Sequence, residues 1–311
     1  MRNLTLLGAL ALTAGACSAT DSDLQYRGTL DTKTDGIALF DNGQAGHAAM
    51  HGTTCLVDPD GGVAEDIDIE GGDDTVIDVT GDDESGSVLA RTQGFLHVLA
   101  PLSVENWQVG TDPRITHSFP VSGVTDGRIV DNGVIALGNC GVSFLDMQGE
   151  VLGVQQLDVL DCNGMGTAFS VDRSSQTAYV ANAQGIASVD TYGVQLMAEG
   201  ADLLVWSPDA DALMASTQGS NVVRALEVDG AERWSTDIVG TVHDIADLGA
   251  RGSVAIVVEH DAIGELLILD SETGLVKRSF DLPDVAEIIT SANGQTIAMV
   301  LENKVHYYNL R

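Results

Sequence analysis

The chain has 311 residues, with 46 acidic side chains against 14 Lys and Arg, a formal charge of −32. A surface this acidic lacks the basic footprint that nucleic-acid binding requires, which excludes nucleic acid as a partner. At 44% hydrophobic the chain is too apolar to be disordered. With aromatics at only 5%, its core must rest on Val, Ile, Leu and Ala, which suit buried strands.

The first segment is "MRNLTLLGALALTAGAC". Arg2 precedes an apolar run, Leu4 to Leu12, of signal-peptide length. That run is well short of the ~20 residues needed to span a bilayer. "TAGAC" resembles a bacterial lipobox, with Cys17 as the lipid-modified first residue of the mature chain. Ala14 departs from that pattern, where Leu is commonest; the alternative is a secretory signal that happens to contain a cysteine. The expected organisation is a signal peptide at 1–16, a lipid-anchored tether at 17–23 and a folded domain at 24–311. Loss of Arg2 takes the formal charge from −32 to −33. Ser18 is not Asp, which by resemblance to lipoprotein sorting in enteric bacteria implies the outer membrane. The expected location is the bacterial cell envelope, with the lipid as the only membrane contact.

From Gly46 onward one pattern recurs: apolar strand, small or polar turn, apolar strand, polar turn. Copies begin at Gly46, Gly86, Asn132, Gln176, Asp211, Gly252 and Gly294. A short apolar strand precedes each pair, represented by Ile37, Val76, Ile129, Thr167, Leu203, Val242 and Ala286. A fourth segment usually follows, as in "GVAEDIDI", "VENWQVG", "EVLGVQQLDV" and "AERWSTDI". One long spacing contains Arg114 to Thr125, which reads as an insertion. A period near 40 residues with four strands per unit predicts an all-β chain, a seven-bladed β-propeller of four-stranded antiparallel blades. A pair of β-sandwiches is the main rival. The last unit has three strands before Arg311, and Asp23 to Leu30 has no partner at the other end. That segment is expected to join the seventh blade as its outer strand and cover its edge.

"SPDADALMAS" and "VDRSSQTAYVANAQGIASVDTYG" resemble the YVTN-type and WD-repeat-like bacterial propellers. "LLILDSETGLVKRSF" is similar to the quinoprotein-like repeat. The resemblance covers roughly residues 24 to 311 and implies the fold. Such propellers include binding scaffolds, surface-layer proteins and a few enzymes.

No catalytic constellation stands out. Of the histidines, His47, His51, His97, His117, His243, His260 and His306, only the first two are four residues apart, in the most degenerate copy. There is no nucleophile elbow and no P-loop. The turns at Asp58 and Asp209 are similar to calcium loops, but neither continues to the glutamate that completes an EF-hand. Trp107 and Trp234 occupy similar outer-strand positions, which points to packing between blades. Cys140 and Cys162 fall in loops on one side of a propeller and form the candidate disulfide; Cys55 is expected to be a buried free thiol. Acids lie near the start of each first strand: Asp35, Asp74, Asp126, Asp161, Asp202, Asp244 and Asp284, with His243 beside one of them. They would ring one end of the central channel as an acidic mouth, unless they are general surface acidity. The expected function is an envelope-anchored binding or scaffolding module, monomeric, for a protein or envelope component. It needs no cofactor, with calcium at the mouth as the exception. The alternative is a quinoprotein- or lactonase-like enzyme with a metal or cofactor at the channel.

Overall fold

The structure is a computed structural model and describes residues 24–30, 36–39, 46–50, 53–58, 62–67, 78–82, 87–91, 95–100, 114–120, 123–138, 140–160, 168–260, 263–290 and 294–311. Strand β1 (Leu24–Leu30) opens the described chain. Four-stranded antiparallel sheets then follow in sequence order. The first holds β2 (Gly36–Leu39), β3 (Gly46–Met50), β4 (Thr53–Asp58) and β5 (Gly62–Ile67). The second holds β6 (Asp78–Asp82), β7 (Ser87–Arg91), β8 (Phe95–Ala100) and β9 (Arg114–Pro120). Next come β10 (Val124–Val130), β11 (Gly133–Gly138), β12 (Gly141–Asp146) and β13 (Val151–Gln156). The fourth sheet is β14 (Ala168–Asp172), β15 (Thr177–Asn182), β16 (Gly185–Val189) and β17 (Val194–Ala198). The fifth is β18 (Leu203–Ser207), β19 (Ala212–Ser216), β20 (Val222–Leu226) and β21 (Glu232–Asp237). The sixth is β22 (Thr241–Asp247), β23 (Ser253–His260), β24 (Ile263–Asp270) and β25 (Val276–Leu282). The last is β26 (Glu287–Thr290), β27 (Thr296–Leu301) and β28 (Lys304–Leu310), with β1 hydrogen-bonded to β28 as its fourth strand.

The reading of Arg114 to Thr125 as an insertion is corrected. Arg114–Pro120 is β9, paired along its length with β8, and Val124 already begins β10. The fourth strand of that sheet is therefore "RITHSFP" and not "VENWQVG". The latter lies in 101–113, outside the described residues together with Trp107.

Acids account for the turns locally. Asp146 accepts the N–H groups of Gln148 and Glu150, Asp190 those of Tyr192 and Gly193, and Asp270 that of Thr273. A carboxylate that ties down the next two or three amides replaces the strand ladder with a tight turn. Part of the chain's acidity is thus spent on folding.

The second strands carry the core. β19 is buried at every position and β23 over its first six, because both faces of each sheet are covered. The fourth strands are mostly exposed, as in β13 and β21. Apolar clusters bridge consecutive sheets: Val130 and Phe144 with Val180 and Val189, Tyr179 with Leu213, Met214 with Val254, and Ile256's neighbour Val257 with Ile297. A further cluster joins the last sheet to the first, through Leu39 with Ala298, Val305 and Tyr307. First strands also touch in order, β2 to β6, β10, β14, β18, β22 and β26, and β26 touches β2. This is an all-β chain of four-stranded antiparallel sheets in an arrangement compatible with a propeller.

One irregularity identifies β1 as a true fourth strand. Each pairing of third with fourth strand skips one fourth-strand residue: Ala64, Thr116, Leu152, Met197, Arg233 and Lys277. In β1 the skipped residue is Arg27. Such a bulge bends and twists the strand, so β1 follows the same bent path although it comes from the opposite end of the chain.

Candidate functional site

A pocket of about 390 Å³ opens where β18, β22 and β26 begin, lined by Leu203, Gln218, His243, Asp244, Val285, Ala286 and Glu287. Three sheets meet here, so the lining comes from residues more than 80 positions apart. Leu203, Val285 and Ala286 give apolar wall; Asp244 and Glu287 give carboxyl groups. No Lys or Arg lines it.

Asp244 is placed by a bulge. The β22–β23 register shifts between Val242 and Asp244, and the carboxylate turns toward the next sheet. There it accepts the N–H of Ile288 in β26 at 2.7 Å, and its other oxygen accepts the N–H of Ile245 at 2.8 Å. It therefore fastens two first strands together while facing the pocket. Burial pushes its pKa up to about 7. The Ile288 amide opposes that shift, the negative charge of Glu287 adds to it, and the Ile245 amide opposes it. Burial also raises Glu287. A charged Glu287 disfavours a second negative charge beside it, so near neutral pH Asp244 is partly protonated, and an incoming cation would favour release of that proton.

His243 hydrogen-bonds through Nε2 to Glu259 Oε2 at 2.9 Å. Deeper along β22, burial raises Asp247 to about 6. Asp247 Oδ2 accepts the Gly249 N–H, while Oδ1 and the buried Ser207 hydroxyl, close enough to influence each other, complete no hydrogen bond.

The structure gathers several of the acids expected at a mouth. Asp202 accepts the N–H of Gln218, a lining residue, at 2.5 Å. Asp284 accepts the N–H of Val285, another lining residue. Asp126 follows the equivalent bulge in β10, bonds the Gly127 N–H and pairs with Arg128; it is not part of this pocket. Asp35, Asp74, Asp161, Cys17 and Cys162 lie outside the described residues. Cys140 occupies the β11–β12 turn at φ 57, exposed and with a free thiol, and Cys55 falls in β4. The descriptors of sequence missed Glu287, Gln218 and Glu259. Glu287 and Glu259 sit at the ends of apolar strands, "EIIT" and "VVEH", the one local signal that could have found them.

Trp206 and Trp234 are used for packing. Trp206 is buried and stacked on Tyr179 of the preceding sheet, with ring centroids 5.2 Å apart. Trp234 of β21 donates from Nε1 to the Ser271 carbonyl of the following sheet and lies over Gly274. Among the described residues no group of three or more His, Cys, Asp or Glu side chains is placed to hold a metal ion.

No protein-family model matches this chain, and no curated protein matches it. The class of protein therefore rests on its architecture: an all-β, propeller-like chain with an acidic pocket on one side.

Proposed function

We propose that the chain is a seven-bladed β-propeller lipoprotein of the bacterial envelope, anchored through Cys17, that binds a protein partner at its acidic mouth. The seven sheets, the return of first-strand contacts from β26 to β2 and the closure of the last sheet by β1 support the ring. The observation that carries the binding reading is the pocket between β18, β22 and β26. It pairs apolar walls with two carboxyl groups that no lining Lys or Arg neutralises. That chemistry suits a basic side chain, whose aliphatic stem meets Leu203, Val285 and Ala286 while its charge meets Asp244 and Glu287.

The test is photo-crosslinking from position 218 in native envelopes, followed by titration of the partner so identified against purified protein. Glu287→Gln is expected to weaken that binding about tenfold at low salt and less at high salt, since screening shortens the reach of charge to about 8 Å at physiological ionic strength. Equal affinity for the variant and the unsubstituted protein rejects the pocket as the binding site.

A further inference from the structure

The strand directions fix the side of the fold on which the described chain begins. The pocket lies where first strands begin, so second strands end on that side, third strands begin there and fourth strands end there. β1 is a fourth strand. Leu24 pairs with Leu310 and Leu30 with Val305, so Leu24 lies on the far side from the pocket and the chain reaches the pocket side only at Leu30.

Basic residues gather where β1 begins. Arg311 donates to the Gln25 side chain at 2.5 Å, Arg278 to the Arg311 carbonyl at 2.7 Å, and Arg251 to the Leu310 carbonyl at 2.7 Å. Burial lowers the Arg251 pKa, and the charge of nearby Arg278 adds to that. Lys277 stands beside them, bonded to the Gly252 carbonyl and paired with Asp270 at 2.9 Å. Asp209 also reaches this group, accepting the Gly252 N–H. Four cations thus cluster at one edge of a chain that carries 46 acids. Exposed apolar side chains do not separate the two sides: Leu275 and Tyr192 are open on the far side, Val239 and Ile263 on the pocket side.

We propose that the far-side edge formed by Arg251, Lys277, Arg278 and Arg311 around Leu24 is the membrane-facing surface, set against phospholipid headgroups, and that the acidic pocket points away from the bilayer. The inference rests on acylation of Cys17. Lengths support it. Seven residue steps separate Cys17 from Leu24 and span at most about 25 Å. β1 itself, at seven residues, is about 23 Å long. A tether that had to run back beside β1 to turn the pocket toward the lipid would use nearly its whole reach and leave nothing to cross the headgroup layer. Charge supports it independently. Within a Debye length of about 8–10 Å, anionic headgroups set against this edge would meet its cluster of cations.

The experiment uses the acylated full-length mature protein in vesicles of phosphatidylethanolamine and phosphatidylglycerol that carry a headgroup-attached quencher. A fluorescent amino acid is placed at Leu275 or at Val239, 69% and 74% exposed on opposite sides. The expected result is severalfold stronger quenching at position 275. Equal quenching, or stronger quenching at position 239, overturns the orientation while leaving the anchor intact. Protein that stays in the supernatant after the vesicles are pelleted overturns the anchor reading, and this inference with it. Lys277→Gln, Arg278→Gln and Arg311→Gln combined are expected to reduce the contrast between the two positions in these vesicles. An unchanged contrast overturns the role given to the basic edge.

Discussion

Asp244 gives the sharpest test of the pocket's electrostatics. Its pKa rises from an ordinary 3.8 to about 7 on folding. The folded state binds this proton more tightly, so the group costs nothing well below pH 3.8, costs progressively more as pH rises, and levels off above pH 7. With those two values the cost is about 2 kcal/mol at pH 5 and about 4 kcal/mol at pH 8. Asp244→Asn removes the titration. It also loses one of two backbone hydrogen bonds, because the Ile245 and Ile288 amides use different oxygens; that loss is worth about 1–3 kcal/mol at either pH. The bond cancels when the two pH values are compared. Relative to the unsubstituted protein, the variant should therefore gain about 2–3 kcal/mol between pH 5 and pH 8. Denaturant unfolding at both pH values and constant ionic strength measures this directly. Parallel pH profiles for the two proteins would show that the Asp244 pKa is not raised, and the description of Asp244 as partly protonated near neutral pH would fail.

Three other outcomes are expected. Deleting residues 23–30 uncovers β28 and withdraws Leu24 from the cluster around Leu310 and Ile288, which should cost at least about 3 kcal/mol and produce oligomers through the bare edge; a monomer with an unchanged melting temperature by sedimentation and calorimetry contradicts it. Gly274→Ala should lower stability by about 1–3 kcal/mol, since Gly274 has φ +69 and an added Cβ would stand 2.5 Å from the Trp234 ring; a neutral result in thermal unfolding would mean that the contact between these two sheets yields freely. Cys17→Ala should leave the protein unprocessed or release it from envelope membranes, read by fractionation and mass spectrometry; a lipid-free mature protein that starts at another residue rejects acylation.

Much of the architecture was legible because it is local and repeated. Each unit restates the same order of apolar run and Asp- or Gly-bearing turn, so strand count and period emerge without knowledge of any contact. The expected closure of the last sheet by the segment before Leu30 is seen in the pairing of β1 with β28. β9 was misread because fourth strands are half exposed: "RITHSFP" shows no apolar run, and its identity depends on pairing with β8. The acids near first strands were visible, but their roles were not. Asp126 pairs with Arg128, whereas Asp244 lines a pocket and Asp202 and Asp284 bond to residues that line it.

Most strands, the turns between them, the net charge and the residue types available to a site are legible in the sequence, because each depends on neighbours within a few positions. Tertiary structure alone decided that Asp244 meets the amide of Ile288, 44 residues on, that Glu287 shares its pocket, and that Leu24 and the Arg251–Arg278 pair lie on the opposite side. The reason is physical. The burial and fields that shift a carboxyl group come from the sheets packed against it, and a repeat pattern specifies each sheet without specifying which side chains stacking will enclose.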